Sequence, residues 1–339
     1  MADPILIWGA GAIGGTLGAY WARAGIDVFL VDIVAEHVEA CRTTGINIEG
    51  PVEEFNQKIA AATPDKVVGE FSRVVLAVKA QHTAAAVTAL KPHLAENGFV
   101  LSAQNGLNEI EISRQVGEDR TMGAFVNFGA DWLGPGRILF GNRGAVVVGE
   151  IAGRQQQRTQ EMFELLQVFE PDAVLTENIW GFLWGKLAYG AMLFATALNM
   201  DSMADNFADP KRFPVWRTLG AEVMRAAAAR SVTPVGFDGF DPASFSSTSS
   251  DISARQSVAD LATFNRGSAK THSGIWRDLA VRKRRTEVDP QIGIIAKLSA
   301  EAGIETPAIN RLVELVHDVE AGRRFQSSET FNELLAICP

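Results

Sequence analysis

The sequence predicts an α/β amino-terminal domain followed by an all-helical domain, and three observations lead there. A glycine-rich turn, Gly9-Ala10-Gly11-Ala12-Ile13-Gly14, stands between a short apolar run and a helical pattern. Short apolar runs and helical segments then alternate to about residue 176. Beyond that point the pattern is helical, with no convincing strand. The expected domains are therefore residues 1–176 and 177–339.

In chain order, Ile5–Trp8 is the first apolar run. From Ile13 to Ala24, the residues Ile13, Leu17, Tyr20 and Trp21 recur at helical spacing, and Gly25 stops the helix. Asp27–Val31 is a second strand. Strand, turn, helix and strand within about thirty residues make a βαβ unit, so the first domain is expected to be Rossmann-type. Val74–Val78, Phe99–Ser102, Thr121–Phe128 and Ala145–Val148 are near-continuous apolar runs, as buried parallel strands require. Helices are expected at Ala84–Leu94 and Arg154–Phe169. In the second domain they are expected at Asn178–Asn199, Phe213–Arg230, Pro290–Ala302 and Pro307–Ala321. The last has proline in its first turn and Gly322 just past its end. Gly236–Asp251, with its glycines, Pro242 and serines, is a loop or inserted excursion.

The chain has 339 residues, 47% of them hydrophobic, which is ample for two cores. Its net charge of −9 is the wrong sign for neutralising phosphates, so no nucleic-acid partner is expected. Two cysteines, Cys41 and Cys338, fit a reducing compartment and no disulfide or zinc scaffold. Met1-Ala2-Asp3-Pro4 shows no leader, and the apolar stretch Leu187–Leu198 is too short to span a bilayer. A cytoplasmic protein with no membrane partner is expected. The five histidines are scattered, so no metal site is expected; His37 and His317 read as surface residues on helices. Arg282-Lys283-Arg284-Arg285 reads as a solvated face with ion pairs to Glu287 and Asp289.

The glycine turn carries the first functional reading. Gly9 allows the tight turn, Gly11 lets a pyrophosphate approach the backbone, and Gly14 lets helix and sheet pack. Ala12 and Ile13 open the helix, whose free N–H groups and partial positive charge face the phosphates. Asp32 ends the second strand, eighteen residues beyond Gly14. A carboxylate there accepts from the adenosine ribose hydroxyls and repels a 2′-phosphate. The expected cofactor is NAD, with NADP disfavoured; a flavin could use the same turn. The alternative for Asp32 is a cap on the following helix.

Further motifs set the chemistry. Val78-Lys79 is followed by Gln81, and Gln104-Asn105-Gly106-Leu107 follows a strand. Pro135-Gly136, Gly149-Glu150, Trp184-Gly185-Lys186-Leu187, Arg277-Asp278, Thr286-Glu287-Val288-Asp289 and Thr306-Pro307 come after in order. With these motifs the sequence resembles the ketopantoate reductase (2-dehydropantoate 2-reductase) family over most of its length. The resemblance implies a helical domain like the carboxyl-terminal domain of 6-phosphogluconate dehydrogenase. It also implies hydride transfer between a nicotinamide and a 2-hydroxy or 2-oxo acid in a cleft between two domains. Lys186 matches the general acid, Asn105 the residue contacting nicotinamide and substrate, and Glu287 the glutamate supporting lysine and cofactor. Lys79 matches a residue near the cofactor. The chemistry is reasonable in itself, because hydride attack on a ketone leaves an alkoxide that needs a proton or a fixed cation.

Three departures from the family pattern bear on substrate and cofactor. Asp32 stands where many members have an arginine. Gly190 replaces an asparagine one turn after the lysine, leaving room for a bulkier substrate or permitting a close helix contact. Around Ser273-Gly274 the pattern shifts by one residue, and His272 and Ser273 become candidates for the substrate carboxylate. The expected function is an NAD-dependent oxidoreductase of hydroxy or oxo acids. The alternatives are an NADPH-dependent 2-dehydropantoate 2-reductase and, from another class, a non-catalytic NAD(H) sensor. A homodimer through the apolar helical domain is also expected.

Overall fold

The computed structural model describes residues 3–267 and 270–339; Met1 and Ala2, read above for a leader, lie outside them. The chain divides into two compact units, Met1–Ile179 and Trp180–Pro339.

The first unit is built on an eight-stranded sheet in the order β12-β11-β8-β7-β6-β1-β2-β5. Its strands are β1 (Ile5–Trp8), β2 (Val28–Val31), β5 (Ala60–Ala62), β6 (Phe71–Leu76), β7 (Leu94–Ser102), β8 (Thr121–Val126), β11 (Val146–Glu150) and β12 (Val174–Leu175). All neighbours pair parallel except β11 with β8. Alternation along β1 sorts the core. Ile5 and Ile7 join one cluster with α1 (Ala12–Arg23), α2 (Ala35–Thr43) and α5 (Gln157–Phe169) through Leu17, Cys41 and Leu166. Leu6 and Trp8 join the other with α3 (Thr83–Leu90) and α4 (Asn108–Val116) through Val87 and Ile112. The sheet is thus covered on both faces. The chain runs from β1 outward through β2 and returns to β6 on the other side of β1, so the order reverses there. Ligands of such sheets bind at that switch point, beyond the carboxyl ends of the strands.

A second sheet, β4-β3-β10-β9, was not expected from the sequence. It comprises β3 (Ile46–Glu49), β4 (Phe55–Gln57), β9 (Gly129–Gly134) and β10 (Arg137–Asn142). These strands are short; β9 begins and ends with glycine and β10 has Gly141 next to its end, which hides a period of two. His37, expected at the surface, is instead buried at 1% exposure between α2 and the β9–β10 turn. Gly136 makes this possible, since it approaches the Ala40 side chain closely enough that a Cβ would sit 2.9 Å away.

The second unit is helical. Its elements are α6 (Ile179–Thr196), α7 (Met203–Ala208), α8 (Phe213–Ala229), α9 (Asp251–Arg266), α10 (Gly274–Ala280), α11 (Ile294–Glu301), α12 (Pro307–Glu320) and α13 (Ser328–Leu335). Pro290–Gly293, expected as the start of an α-helix, belong to a π-helical turn over Asp289–Gly293 that leads into α11. Buried Glu222 of α8 caps α12, accepting from the amides of Ala308 (3.0 Å) and Ile309 (2.8 Å). The 236–251 segment is a packed loop: Phe237, Phe240 and Phe245 are buried. The basic run finds its partner in Asp278, bound by Arg282 and Arg284, while Asp289 pairs with His317. Among the described residues no helix is long and apolar enough to cross a membrane, and no group of three or more His, Cys, Asp or Glu could hold a metal ion.

Candidate active site

The glycine turn leaves the carboxyl end of β1 under tight steric limits. Gly9 has φ +104°, and a Cβ there would lie 2.7 Å from the Val78 amide nitrogen. At Gly14 a Cβ would overlap the Gly9 carbonyl oxygen and come within 2.9 Å of Ile7. Gly11 is the contrast, because nothing lies within 4 Å of its Cβ position. It is the N-cap of α1 and offers no side chain to the helix start, where Ala12 and Ile13 come first. The first amides of a twelve-residue helix therefore face an open side, which fits a dinucleotide pyrophosphate.

Asp32 closes the turn from β2. Its Oδ2 accepts from the Ala10 amide (3.0 Å) and its Oδ1 from the Val34 amide (3.0 Å). The N-cap of α2 is Val34, so Asp32 makes a turn before the helix and does not cap it. Each carboxylate oxygen retains a lone pair for a further donor. Next to it, Ile33 is 79% exposed.

Lys79 and Asn105 belong to the loops after β6 and β7. A chain of buried side chains ties these loops together. Gln104 Nε2 donates to the Val78 carbonyl and to Thr83 Oγ1 (both 2.8 Å), Thr83 Oγ1 donates to Asn108 Oδ1 (2.8 Å), and Asn108 Nδ2 donates to the Asn105 carbonyl (2.8 Å). Gly106, with φ +103°, turns the chain into α4. Glu109 on that helix is wholly buried, and burial pushes its carboxyl up to about 7.

In the second unit Lys186 sits mid-way along α6, partly buried. Burial pushes its ammonium down to about 8, while the charges of Glu287 and then Asp238 act against the fall. Glu287 is held at the entry to the π-helical turn. Thr286 beside it donates twice to Glu320, from its amide and hydroxyl (both 2.7 Å), and the Glu287 carbonyl accepts from the Gln291 amide (3.1 Å).

Asp238 was not foreseen. It lies at the tip of a two-residue turn, with φ +47°, followed by Gly239 at +83°. The flanking Phe237 and Phe240 exchange backbone hydrogen bonds of 3.1 and 2.8 Å. The turn is fastened to α6: the Val235 amide donates to the Gly181 carbonyl (2.9 Å), and a Cβ at Gly185 would overlap the Val235 carbonyl. Tyr189, one turn beyond Lys186, packs on both rings, with centroids 6.0 and 5.6 Å away. Aromatics flanking Asp-Gly are a hairpin signal legible in the sequence.

The remaining expected residues are placed as follows. Gly190 has nothing within 4 Å of its Cβ position, so it serves no close helix contact among the described residues. Ser273 is buried and caps α10, accepting from the Trp276 amide (3.1 Å). The His272 ring lies tilted against Trp276, with centroids 4.1 Å apart; its Nδ1 contacts Thr271 Oγ1 at 2.9 Å and its Nε2 the Met200 carbonyl at 3.2 Å. Both are thus engaged in local structure.

Two family models match in sequence. Ketopantoate reductase PanE/ApbA matches residues 5–153, and its C-terminal counterpart matches 178–320. The chain belongs to the ketopantoate reductase family. It is accordingly an oxidoreductase acting on CH–OH groups, with a small-molecule substrate and a nicotinamide cofactor. A curated 2-dehydropantoate 2-reductase of Streptococcus pyogenes serotype M3 is 24% identical over 319 residues, covering 94% of this chain and 98% of the relative. A ketopantoate reductase family structure from Ralstonia eutropha JMP134 is 25% identical, with TM-score 0.79, covering 95% of this chain and all of that one. The fold is shared with a D-mandelate dehydrogenase solved with NADH and anilino(oxo)acetate, at 21% identity and TM-score 0.81, covering 94% of this chain and 99% of that one.

Proposed function

We propose that this family member is an NAD(H)-dependent oxidoreductase of 2-hydroxy and 2-oxo acids, with Lys186 as general acid and base. The observation that carries the reading is the lysine itself: its ammonium is brought down to about 8 while Glu287 keeps it charged near neutrality. A donor poised close to the working pH is what reduction of a carbonyl needs. The bound nicotinamide would supply hydride or accept it. Gly9, Gly11, Gly14 and the amides at the start of α1 would hold the pyrophosphate. Asp32 would accept from the ribose, and Lys79 would stand near the cofactor. Asn105 would orient the carbonyl, since its amide can donate and accept together. Lys186 would deliver its proton to the carbonyl oxygen, or take one from the hydroxyl in the reverse direction.

NAD over NADP is supported by Asp32 and by Asp32–Glu36, which carries two carboxylates and no cation for a 2′-phosphate. The open space at Gly190 supports an acid with a larger side chain. Ser273, whose hydroxyl hydrogen is not used in capping α10, remains a proposed contact for the substrate carboxylate, and His272 would join it by exchanging its contact with Thr271 or with Met200. The names of the curated relatives favour a second reading, NADPH-dependent reduction of 2-dehydropantoate. One screen separates the two: turnover of hydroxy acids of graded size, pantoate included, with NAD and NADP in parallel. Higher efficiency with NAD is expected. Equal or better efficiency with NADP would sink the NAD assignment, and no turnover of any hydroxy acid would sink the substrate class.

A further inference from the structure

We infer that His37 is a positioning residue for the dinucleotide, holding the Ala10–Gly11 peptide so that its amide faces the open side of the glycine turn. The inference rests on reading that turn as the dinucleotide site.

The tautomer of His37 follows from its partners. The Gly136 amide donates to Nδ1 at 2.9 Å, so Nδ1 is bare and Nε2 carries the proton. Nε2 then donates to the Ala10 carbonyl at 2.7 Å. Cys41 Sγ lies 3.8 Å from Nε2. Burial pushes its thiol up to about 12, so it brings no charge to the pair. The Ala10 oxygen also lies against the first turn of α1, where a Cβ at Gly15 would come within 2.7 Å of it.

A trans peptide points its C=O and N–H in opposite directions. Fixing the Ala10 oxygen toward His37 therefore fixes the Gly11 N–H away from it. Fixing the Ala10 N–H on Asp32 Oδ2, at 3.0 Å, does the same for the Gly9 carbonyl. Two side chains outside the turn thus clamp both polar groups of its central residue. Without the imidazole, the peptide before the conformationally free Gly11 could rotate and present its carbonyl oxygen to an anion. Gly136 belongs to the turn between β9 and β10, so the second sheet supports the glycine turn through one ring.

The test uses the full chain and two substitutions that split the ring's two bonds. His37→Asn keeps an acceptor near Nδ1 and removes the donor at Nε2; His37→Gln keeps a donor near Nε2. Titration with NADH and NADPH is expected to show dinucleotide affinity falling about five-fold in H37N, the worth of one net hydrogen bond, and largely recovering in H37Q. The substrate KM and the kcat at saturating cofactor are expected to hold in both. Should H37N fail to fold, H37Q with affinity as weak as that of His37→Leu would overturn the inference, and stronger affinity would support it. Wild-type binding with H37N unchanged would overturn the inference alone. Failure of the wild type to bind either dinucleotide would overturn the reading of the site and this inference with it.

Discussion

Burial drives Lys186 and Glu109, one in each unit, toward the same pH range from opposite sides. The ammonium comes down to about 8 and the carboxyl goes up to about 7. Their surroundings differ. Lys186 feels two carboxylates, Glu287 and Asp238, which favour its charged form. Glu109 is opposed in its rise only by its own backbone amide and by Ser102, both neutral groups. The same desolvation therefore has two results. With countercharges a buried group stays ionised and ready to exchange a proton; without them it approaches neutrality and becomes a pH-dependent weight on the fold.

The strongest way to break this comparison is to remove the lysine. Lys186→Ala is expected to lower kcat by about 100-fold or more, the usual loss when a positioned general acid is deleted, with the fold retained. Near-normal turnover would take Lys186 out of the mechanism. If Lys186 is the proton donor, reduction of an oxo acid by the wild type is expected to weaken as pH rises through about 8, where the lysine loses its proton. Stability moves the other way. The folded value lies below the ordinary 10.5, so between about 8 and 10.5 the unfolded chain binds more protons and rising pH favours folding.

Glu109 offers the next largest effect, on stability. Its folded value lies above the ordinary 4.5, so the folded chain holds the extra proton between 4.5 and about 7. Stability from this group is present at acid pH and lost as pH rises through about 7. The rise is worth on the order of 3 kcal/mol. Glu109→Gln, which is neutral throughout, should therefore raise Tm at pH 8 and change it little at pH 4.5. Thermal melts that shift equally at both pH values would show that Glu109 is not buried as a charge at pH 8.

Much of the first unit was legible because its constraints are local. The glycine turn needs glycine at particular places, and Gly9 and Gly14 are required by contacts with neighbours that any βαβ unit supplies. The second sheet was illegible because Ile46–Glu49 and Phe55–Gln57 are too short for a periodicity. His37 failed for another reason: a polar residue on an exposed-looking helix is buried by a turn ninety-nine positions away. In the second unit Lys186 and Glu287 carried a family pattern, but Asp238 did not. Its role depends on Val235 lying against Gly181 and Gly185, a contact between segments that no spacing rule connects.

Cofactor choice comes next in size. If Asp32 sets cofactor choice, Asp32→Ser should shift the ratio of NAD to NADP efficiency toward NADP by about ten-fold, and it also removes the acceptor for the Ala10 amide. Affinity for NAD is therefore expected to fall as well, so that this substitution alone gives a poor NADP enzyme. Tight NADPH binding by the variant, with NADH affinity unchanged, would show that the Ala10 contact contributes nothing to the site.

The smallest effect distinguishes the two carboxylates at the lysine. Glu287 acts more strongly than Asp238 in keeping Lys186 protonated. Removing either charge should move the alkaline limb of the reduction profile to lower pH, further in Glu287→Gln than in Asp238→Asn. At pH 8 the loss in D238N should be smaller than in E287Q, because Asp238 acts less strongly than Glu287 on the lysine. Well below pH 8 D238N should reach the wild-type rate, since its lysine is then protonated. A loss that persists at low pH would mean that Asp238 shapes the site through the Phe237–Phe240 turn and not through its charge.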